Sequence, residues 1–450
     1  MEIYLTNTLT HKKEKFVPRN DKKVNFFVCG PTVYDFSHLG HAKTYIQFDL
    51  WVRYLRSLGF TVFYLQNITD LDDKIIKRAR EQKIDWRKLA LKFEKLYLED
   101  MQKLNNTSVS KYARATDYLP QIVKQVQTLL RKGSAYEIKD GIYFEISQFP
   151  RYGTLSGRIQ IKETDAVSRI DENEGKRGWN DFCLWKFSKA GEPAWESEIG
   201  TGRPGWHIED TAITEHFFGP QYDVHGGAVD LIMPHHEAEI AQMESASGKA
   251  PLVKYWLHTG FLLVEGIKMS KSLGNFYTLA EVIRKGFDPL ALRLLFLGSH
   301  YRDPLNFTWL SLAAAQSGLE RLRALVDGLR QGKRTRLSPE KAGKTQEYQD
   351  KFRQALSDDL NAPQAVAVLW EMLKSNLSAA DKYDLVVSFD EVFGLNLTKP
   401  SVAKPMPVEI RDLLKKRATL RQKGKFAEAD KLRKKIIALG FSVEDESLSW

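Results

Sequence analysis

The stretch from Val24 to Leu58 holds residues whose types and spacing suit phosphate chemistry. The apolar run VNFFVC has the length and composition of a buried strand, Gly30-Pro31 ends it, and an apolar-periodic segment from about Ala42 to Leu58 predicts a helix. Between them sits His38-Leu39-Gly40-His41. A strand, a glycine-containing turn and a helix N-terminus make an anion site, because backbone N–H groups and the helix dipole point at the ligand. Two imidazoles there can donate to phosphate oxygens, and Gly40 lets a base or a phosphate approach the backbone. A second candidate is Lys268-Met269-Ser270-Lys271-Ser272, followed by Leu273-Gly274-Asn275. Two lysines three apart on a Gly-bounded loop can neutralise a triphosphate, and lysine, a flexible point charge, suits a loop that moves. A third is Pro234-His235-His236-Glu237-Ala238-Glu239. His235 and Glu239, at i and i+4, share a helix face and can meet one metal ion. Cys29 joins them if its strand lies beside the one ending near His225; otherwise it is a small apolar packing residue.

These groups need a scaffold that brings distant segments together. Phe60 to Asp70 is rich in β-branched and aromatic residues and predicts a second strand. DDKIIKRAREQK, DWRKLALKFEKLYLEDMQKL and the stretch from Asp117 to Lys132 have helical apolar spacing. Strand and helix in alternation predict a parallel α/β sheet. Short β-like runs broken by Gly and Pro then mark residues 121–199 as an insertion. The α/β pattern returns with a strand around Tyr222 to His225, a Gly-Gly turn, a helix from near Pro234, and the strand-like run KYWLHTGFLLVEG. From Pro289 to about Leu395 the pattern is helical, and LTKPSVAKPMP links it to a short C-terminal unit with two helix-like segments and an end piece.

At 450 residues, two to four domains are expected. No run of about 18 apolar residues predicts a membrane span, and the polar N-terminus lacks the apolar core of a signal peptide. Two cysteines, Cys29 and Cys183, exclude a disulfide framework and fit a reducing cytoplasm. A net charge of +10 suggests a polyanionic partner. Much of it is local: Lys404 to Ile436 holds 12 Lys/Arg against 4 Asp/Glu.

HLGH and KMSKS, in this order, resemble the HIGH and KMSKS signatures of class I aminoacyl-tRNA synthetases. With CGPTVYDFSHLGH, NITDLDDKI, GRPGWHIED, HGGAVDLIMPHHEAEIAQ and KMSKSLGNF, the chain resembles the cysteinyl-tRNA synthetase family. The resemblance runs the whole length, including DDLNAP and the basic C-terminal unit. It implies an α/β fold: a Rossmann-type parallel-sheet catalytic domain in two halves (1–120 and 200–262) around an α+β connective insertion (121–199). A KMSKS and stem-contact region (263–310), a helical bundle (311–400) and a small mixed α/β anticodon-binding domain (405–450) follow. It also implies ligation of L-cysteine to tRNA(Cys) at the expense of ATP, through cysteinyl-adenylate, by a cytoplasmic protein expected to be a monomer with no membrane partner.

The resemblance further assigns roles. A zinc ion at the floor of the amino-acid pocket would select thiolate over alcohol, held by Cys29, by the residue after GWHIE, and by His235 and Glu239. The family has a cysteine after GWHIE; here the residue is Asp210. A carboxylate keeps the formal charge but hardens the site. Thr69, Trp206 and His225 are expected to line the cysteine pocket, with Trp206 closing it, and Asp230 to bind the ATP ribose. His38, Gly40 and His41 are expected at the triphosphate, and Lys268 and Lys271, with Mg²⁺, at the departing pyrophosphate. Cys183 matches no ligand position and is expected to pack. Two other readings remain: a relative that transfers cysteine to a small-molecule amine, which has no need of the basic C-terminal unit, and a tRNA-binding pseudo-enzyme with a metal site decayed at Asp210, which has no reason to keep both HLGH and KMSKS.

Overall fold

Strands and helices alternate through the region that carries the candidate residues. The structure is a computed structural model and describes residues 2–158, 175–269, 274–330, 339–399 and 408–438. Strands β1 (Lys23–Val28), β2 (Thr61–Ile68), β3 (Lys111–Arg114), β4 (Tyr222–Ala228) and β5 (Val253–Thr259) form one sheet in the order β5-β4-β1-β2-β3. Every neighbouring pair is parallel. Strands covered on both faces read as near-continuous apolar runs, and in β1 Phe26, Phe27 and Val28 are all buried. From β1 the chain passes through helix α1 (Leu39–Ser57) to β2. Helix α2 (Ile208–Phe218) leads into β4, and α3 (Glu237–Ser247) leads from β4 to β5. The strand order therefore reverses between β1 and β4. In doubly wound sheets the crevice beyond the carboxyl ends of the strands at such a reversal is where ligands bind.

Two local expectations change. Gly226-Gly227 is not a turn; both residues lie inside β4. Their role is close approach: a Cβ at Gly226 would come within 2.5 Å of the Phe48 ring on α1, and one at Gly227 within 2.7 Å of His236 Cε1. The helix expected from near Pro234 begins instead at Glu237. Residues Ile232–His236 form a single π-type turn, interrupted at Met233 (φ −124°, ψ 129°). Proline has no N–H to donate to a regular helical turn.

Between β3 and β4 lies a helix, Leu119–Arg131, and a four-stranded antiparallel sheet of Ala135–Ile138, Gly141–Phe144, Phe182–Phe187 and Gly202–Pro204. Cys183 is buried there with Tyr136 and Tyr143. After β5, a small sheet of Leu262–Val264, Ile267–Lys268 and Leu305–Phe307 carries the lysine hairpin. Helices Trp309–Leu329, Pro339–Ser357, Ala362–Lys374 and Ala379–Phe393 continue the main core, with Phe352 and Phe389 stacked at 4.0 Å. The C-terminal unit contributes helices Val408–Gln422 and Phe426–Ala438, packed through Ile436 against Leu413 and Leu414; its end piece, 439–450, lies outside the described residues. Among the described residues no helix is long and apolar enough to cross a membrane.

Candidate active site and metal centre

At the strand-order reversal opens a cavity of about 650 Å³. Its ATP-facing candidates are set by the start of α1. His38 is the N-cap, in extended backbone (φ −90°, ψ 166°), and its Nδ1 accepts the Gly40 N–H at 3.0 Å. His41 Nδ1 in turn accepts the His38 N–H at 3.3 Å, so the two imidazoles form a reciprocal capping box. Nδ1 of each ring is used as an acceptor, which leaves the ring proton on Nε2. The rings stack at 3.9 Å, and burial pushes the His41 imidazole down to about 4, so it is neutral at pH 7. Gly40 has no room for a side chain: a Cβ would meet the His38 ring at 2.7 Å.

The lysine hairpin meets this turn directly. His38 pairs with Thr278 in an antiparallel bridge, Leu39 N–H donates to the Tyr277 carbonyl at 2.9 Å, and the Phe276 ring lies edge-on to His38 at 5.3 Å. Lys268 lines the cavity with its Nζ 4.3 Å from the centre of the Phe261 ring. Lys271, the other candidate lysine, lies outside the described residues. Asp230 lines the same cavity from the turn Val229–Leu231 that follows β4.

The cavity floor is a buried polar cluster. Cys29 continues β1 beside β4, its N–H donating to Gly226 O at 3.2 Å. Its Sγ lies 3.7 Å from Glu239 Oε1. His235 Nε2 is 2.9 Å from Glu239 Oε1 and 3.0 Å from Asp210 Oδ2. The expected quartet, Cys29, Asp210, His235 and Glu239, thus has one ligand atom from each residue within 4.8 Å of all the others. Burial, with the Glu239 and Asp210 carboxylates, pushes the Cys29 thiol well up. Burial raises Glu239 to about 7 against the pull of His235. Burial alone would lower His235, but the Glu239 and Asp210 carboxylates outweigh it and hold the imidazole at about 9. A thiol, two carboxyls and an imidazole sharing protons in a dry pocket are stabilised by a cation that replaces those protons. One oxygen, Asp210 Oδ1, is buried without a hydrogen-bond partner among the described residues. The donor set of one sulfur, one imidazole and two carboxylates suits zinc.

Of the expected substrate residues, Thr69 and Trp206 line the cavity, and the Trp206 ring stacks on His235 at 4.3 Å. His225 does not line it; it is fully buried behind Cys29, with Nε2 3.3 Å from Sγ. The reason is the strand pleat, which turns His225 toward Phe27 and Trp256 rather than toward the opening. Sequence reasoning gave no role to His207, Glu209, His236 or His258. His207 Nδ1 lies 2.8 Å from His235 Nδ1 and orients that ring. Glu209, its carboxyl pushed well up by burial and by Asp210, accepts the Thr69 hydroxyl at 3.0 Å. His236 and His258 lie 2.8 Å apart, below the sulfur. The signal for the first three was their place inside GWHIE and PHHEAE; His258, near the end of a parallel strand, had only its position.

Known proteins resemble this chain along nearly its whole length. A family model described as "tRNA synthetases class I (C) catalytic domain" matches residues 15–317, a "DALR domain" model matches 351–398, and a "Cysteinyl-tRNA ligase anticodon binding domain" model matches 404–448. The chain is 42% identical to the cysteine–tRNA ligase of Thermococcus onnurineus, covering 99% of this chain and 98% of that protein. It is 43% identical to the cysteine–tRNA ligase of Thermoplasma acidophilum, covering 99% of each. The fold is shared with the methionyl-tRNA synthetase of Mycobacterium tuberculosis bound to methionyl-adenylate, at a TM-score of 0.59 and 15% identity over 90% of this chain and 96% of that one. Matches to the catalytic, helical and anticodon-binding parts, and to relatives along nearly their whole length, lead to one conclusion: this chain belongs to the cysteine–tRNA ligase family of class I aminoacyl-tRNA synthetases.

Proposed function

We propose that the cavity activates L-cysteine with ATP as cysteinyl-adenylate, and that the cysteinyl group then passes to the 3′ end of tRNA(Cys). The observation that carries this reading is the junction of the two motifs over the buried cluster: His38 bridges to Thr278, and Cys29, Asp210 and His235 line the same cavity. His38 and His41 donate from Nε2 to the triphosphate while the cysteine carboxylate attacks the α-phosphorus. Gly40 leaves the phosphate access to the backbone. Lys268 and Lys271, with Mg²⁺ accompanying ATP, hold the departing pyrophosphate, and Asp230 holds the ribose. No general base is needed, because the attacking carboxylate is already ionised. Catalysis is alignment and charge stabilisation.

Thr69 and Trp206 line the cysteine pocket, while His225 bears on it through Cys29. Cys29, Asp210, His235 and Glu239 hold the zinc. Bound there, zinc supplies the preference for a thiolate over an alcohol, which an apolar pocket separates poorly. The helical region lies along the tRNA and the basic C-terminal unit reaches the anticodon, its lysines and arginines meeting phosphates. Two free cysteines fit a reducing cytoplasm, where the protein acts as a monomer.

The deciding experiment is cysteine-dependent ATP–pyrophosphate exchange, run with tRNA charging and elemental analysis of protein purified without added metal. The expected result is exchange that a chelator abolishes and zinc restores. Exchange and charging by protein with no stoichiometric zinc would overturn the zinc assignment; absence of exchange from zinc-loaded protein would overturn the activity. Lys271→Ala is expected to slow adenylate formation strongly with tRNA binding nearly intact, and equal losses in both would remove Lys271 from the pyrophosphate.

A further inference from the structure

At its opening the cavity carries aromatic rings set among cations. Of the exposed large apolar side chains among the described residues, Phe36 alone lines the cavity, at 45% exposure. A lone exposed phenylalanine is ordinary on a protein surface. This one is fixed in place. Its N–H donates to Asp35 Oδ1 at 2.9 Å. The Asp35 carboxylate is gripped at both oxygens by the Arg78 guanidinium, at 3.1 Å each, on the helix Asp73–Gln82. The Phe36 ring meets Phe93, on the helix Trp86–Lys103, nearly at right angles at 5.4 Å. Lys74 and Tyr34 line the same cavity, with the lysine Nζ 5.5 Å from the centre of the tyrosine ring.

A second cation comes from the insertion. Arg158 is exposed and lines the cavity. The turn that it ends is anchored on Glu237, a fully buried carboxylate at the start of α3. Glu237 accepts the Gly153 N–H at 3.0 Å, the Ser156 N–H at 2.7 Å and the Ser156 hydroxyl at 2.9 Å. Arg158 N–H then donates to Gly153 O at 2.9 Å. The acids on this side of the cavity are matched from within the protein. Arg78 holds Asp35, the Lys74 N–H donates to Asp72 at 2.8 Å, and Asp73 pairs with Lys186 at 2.7 Å and with Arg203. They therefore do little to repel a polyanion.

Aromatic faces interleaved with lysine and arginine are how proteins hold single-stranded nucleic acid: bases stack on the rings and the cations follow the phosphates. The 3′ end of a tRNA is single-stranded, and its terminal ribose must reach the adenylate inside this cavity. We propose that the tRNA 3′ end enters over this ledge, with its terminal adenine stacked on the Phe36 ring and its phosphates held by Arg158 and Lys74. Phe36 then fixes where the terminal ribose stands and serves the transfer step, not activation.

This role presupposes the activation and transfer proposed above, and the test tells the two apart. The full chain is titrated with two tRNA(Cys) transcripts, one complete and one lacking the terminal adenosine, as wild type, Phe36→Leu and Phe36→Trp. Cysteine-dependent ATP–pyrophosphate exchange is measured for each protein. Removing the adenosine is expected to weaken wild-type binding about tenfold. Phe36→Leu should bind complete tRNA about tenfold less tightly and lose the distinction between the transcripts, whereas Phe36→Trp keeps it. All three proteins should exchange pyrophosphate alike. Arg158→Gln should weaken both transcripts equally and flatten the salt dependence of binding. A Phe36→Leu protein that still tells the transcripts apart as wild type does overturns the stacking. Exchange that falls as far as tRNA binding assigns the ring to ATP and overturns it too. Arg158→Gln with wild-type affinity and salt dependence overturns the phosphate contact. Wild-type protein that neither exchanges pyrophosphate nor binds either transcript overturns the activity itself.

Discussion

Asp210 stands where the resemblance implies a second cysteine, and its buried Oδ1 has no hydrogen-bond partner among the described residues. A carboxylate gives the metal a harder ligand than a thiolate. Asp210→Cys is therefore expected to tighten zinc binding by about an order of magnitude, read by competition with a chelator. Unchanged affinity would mean that Asp210 is not a ligand. A different buried charge sits on α1. Lys43, 1% exposed, donates to the carbonyls of Gly260 at 2.8 Å, Tyr301 at 3.3 Å and Asp303 at 3.2 Å, and burial pushes it down to about 8 despite the nearby Asp303 carboxylate. Between that value and its ordinary 10.5 the unfolded chain binds more protons than the folded one. This group's contribution to stability therefore rises with pH across the window, by an amount on the order of 3 kcal/mol in total. Lys43→Met lacks this dependence. The difference in unfolding free energy, wild type minus variant, is expected to grow from pH 8 to pH 10 in denaturant titrations, and a constant difference would contradict it.

Among the elements, β4 does the most with the least side chain. It threads between α1 and the π-type turn because Gly226 and Gly227 present no Cβ to Phe48 or to His236. Gly226→Ala is expected to cost roughly 1–3 kcal/mol, as other overpacked core positions do, and to lower the melting temperature measured by calorimetry. An unshifted melting temperature would show that the Phe48 ring can step aside. The same strand marks where the sequence was readable and where it was not. Apolar runs and helical spacing located β1, α1 and β2 to within about three residues at each end. A Gly-Gly pair, however, is a turn signal when read alone, and only the ring packed against each glycine reveals the strand. The helix expected from Pro234 starts three residues later, yet His235 still reaches Glu239, because the π-type turn preserves their contact. The four residues of the cavity-floor quartet were legible through motif resemblance. The depth of His225, the pairing of His236 with His258 and the fixing of Thr69 by Glu209 were not, since each depends on which side of a strand or helix faces the opening.

Across the whole molecule, one fully buried arginine joins the parts. Arg293, on the helix Pro289–Leu297, donates to Asp49 Oδ2 on α1 at 2.6 Å, to Leu104 O at 3.1 Å and Asn106 Oδ1 at 2.9 Å, and to Phe393 O in the helical region at 2.6 Å. Arg293→Met leaves Asp49 with Arg53 at 2.7 Å and the Thr107 and Ser108 N–H groups, but it strips a buried charge partner and leaves the Leu104, Asn106 and Phe393 oxygens without this donor, and is expected to cost about 3 kcal/mol. In a thermal-melt double-mutant cycle with Asp49→Asn, the combined loss should fall short of the sum of the two single losses. Additive losses would mean that the two do not act as a pair. The bridge between His38 and Thr278 has a different kind of consequence, for the order in which a ribosome delivers the chain. The turn that carries His38 leaves the ribosome early, but its bridge partner Thr278 follows some 240 residues later, and Lys43 must wait for the carbonyls of Tyr301 and Asp303. Contacts this distant in sequence form late. A nascent chain therefore carries the proposed phosphate-binding turn unfinished through much of its synthesis, and fragments released early lack the assembled cavity that the proposed ATP chemistry needs.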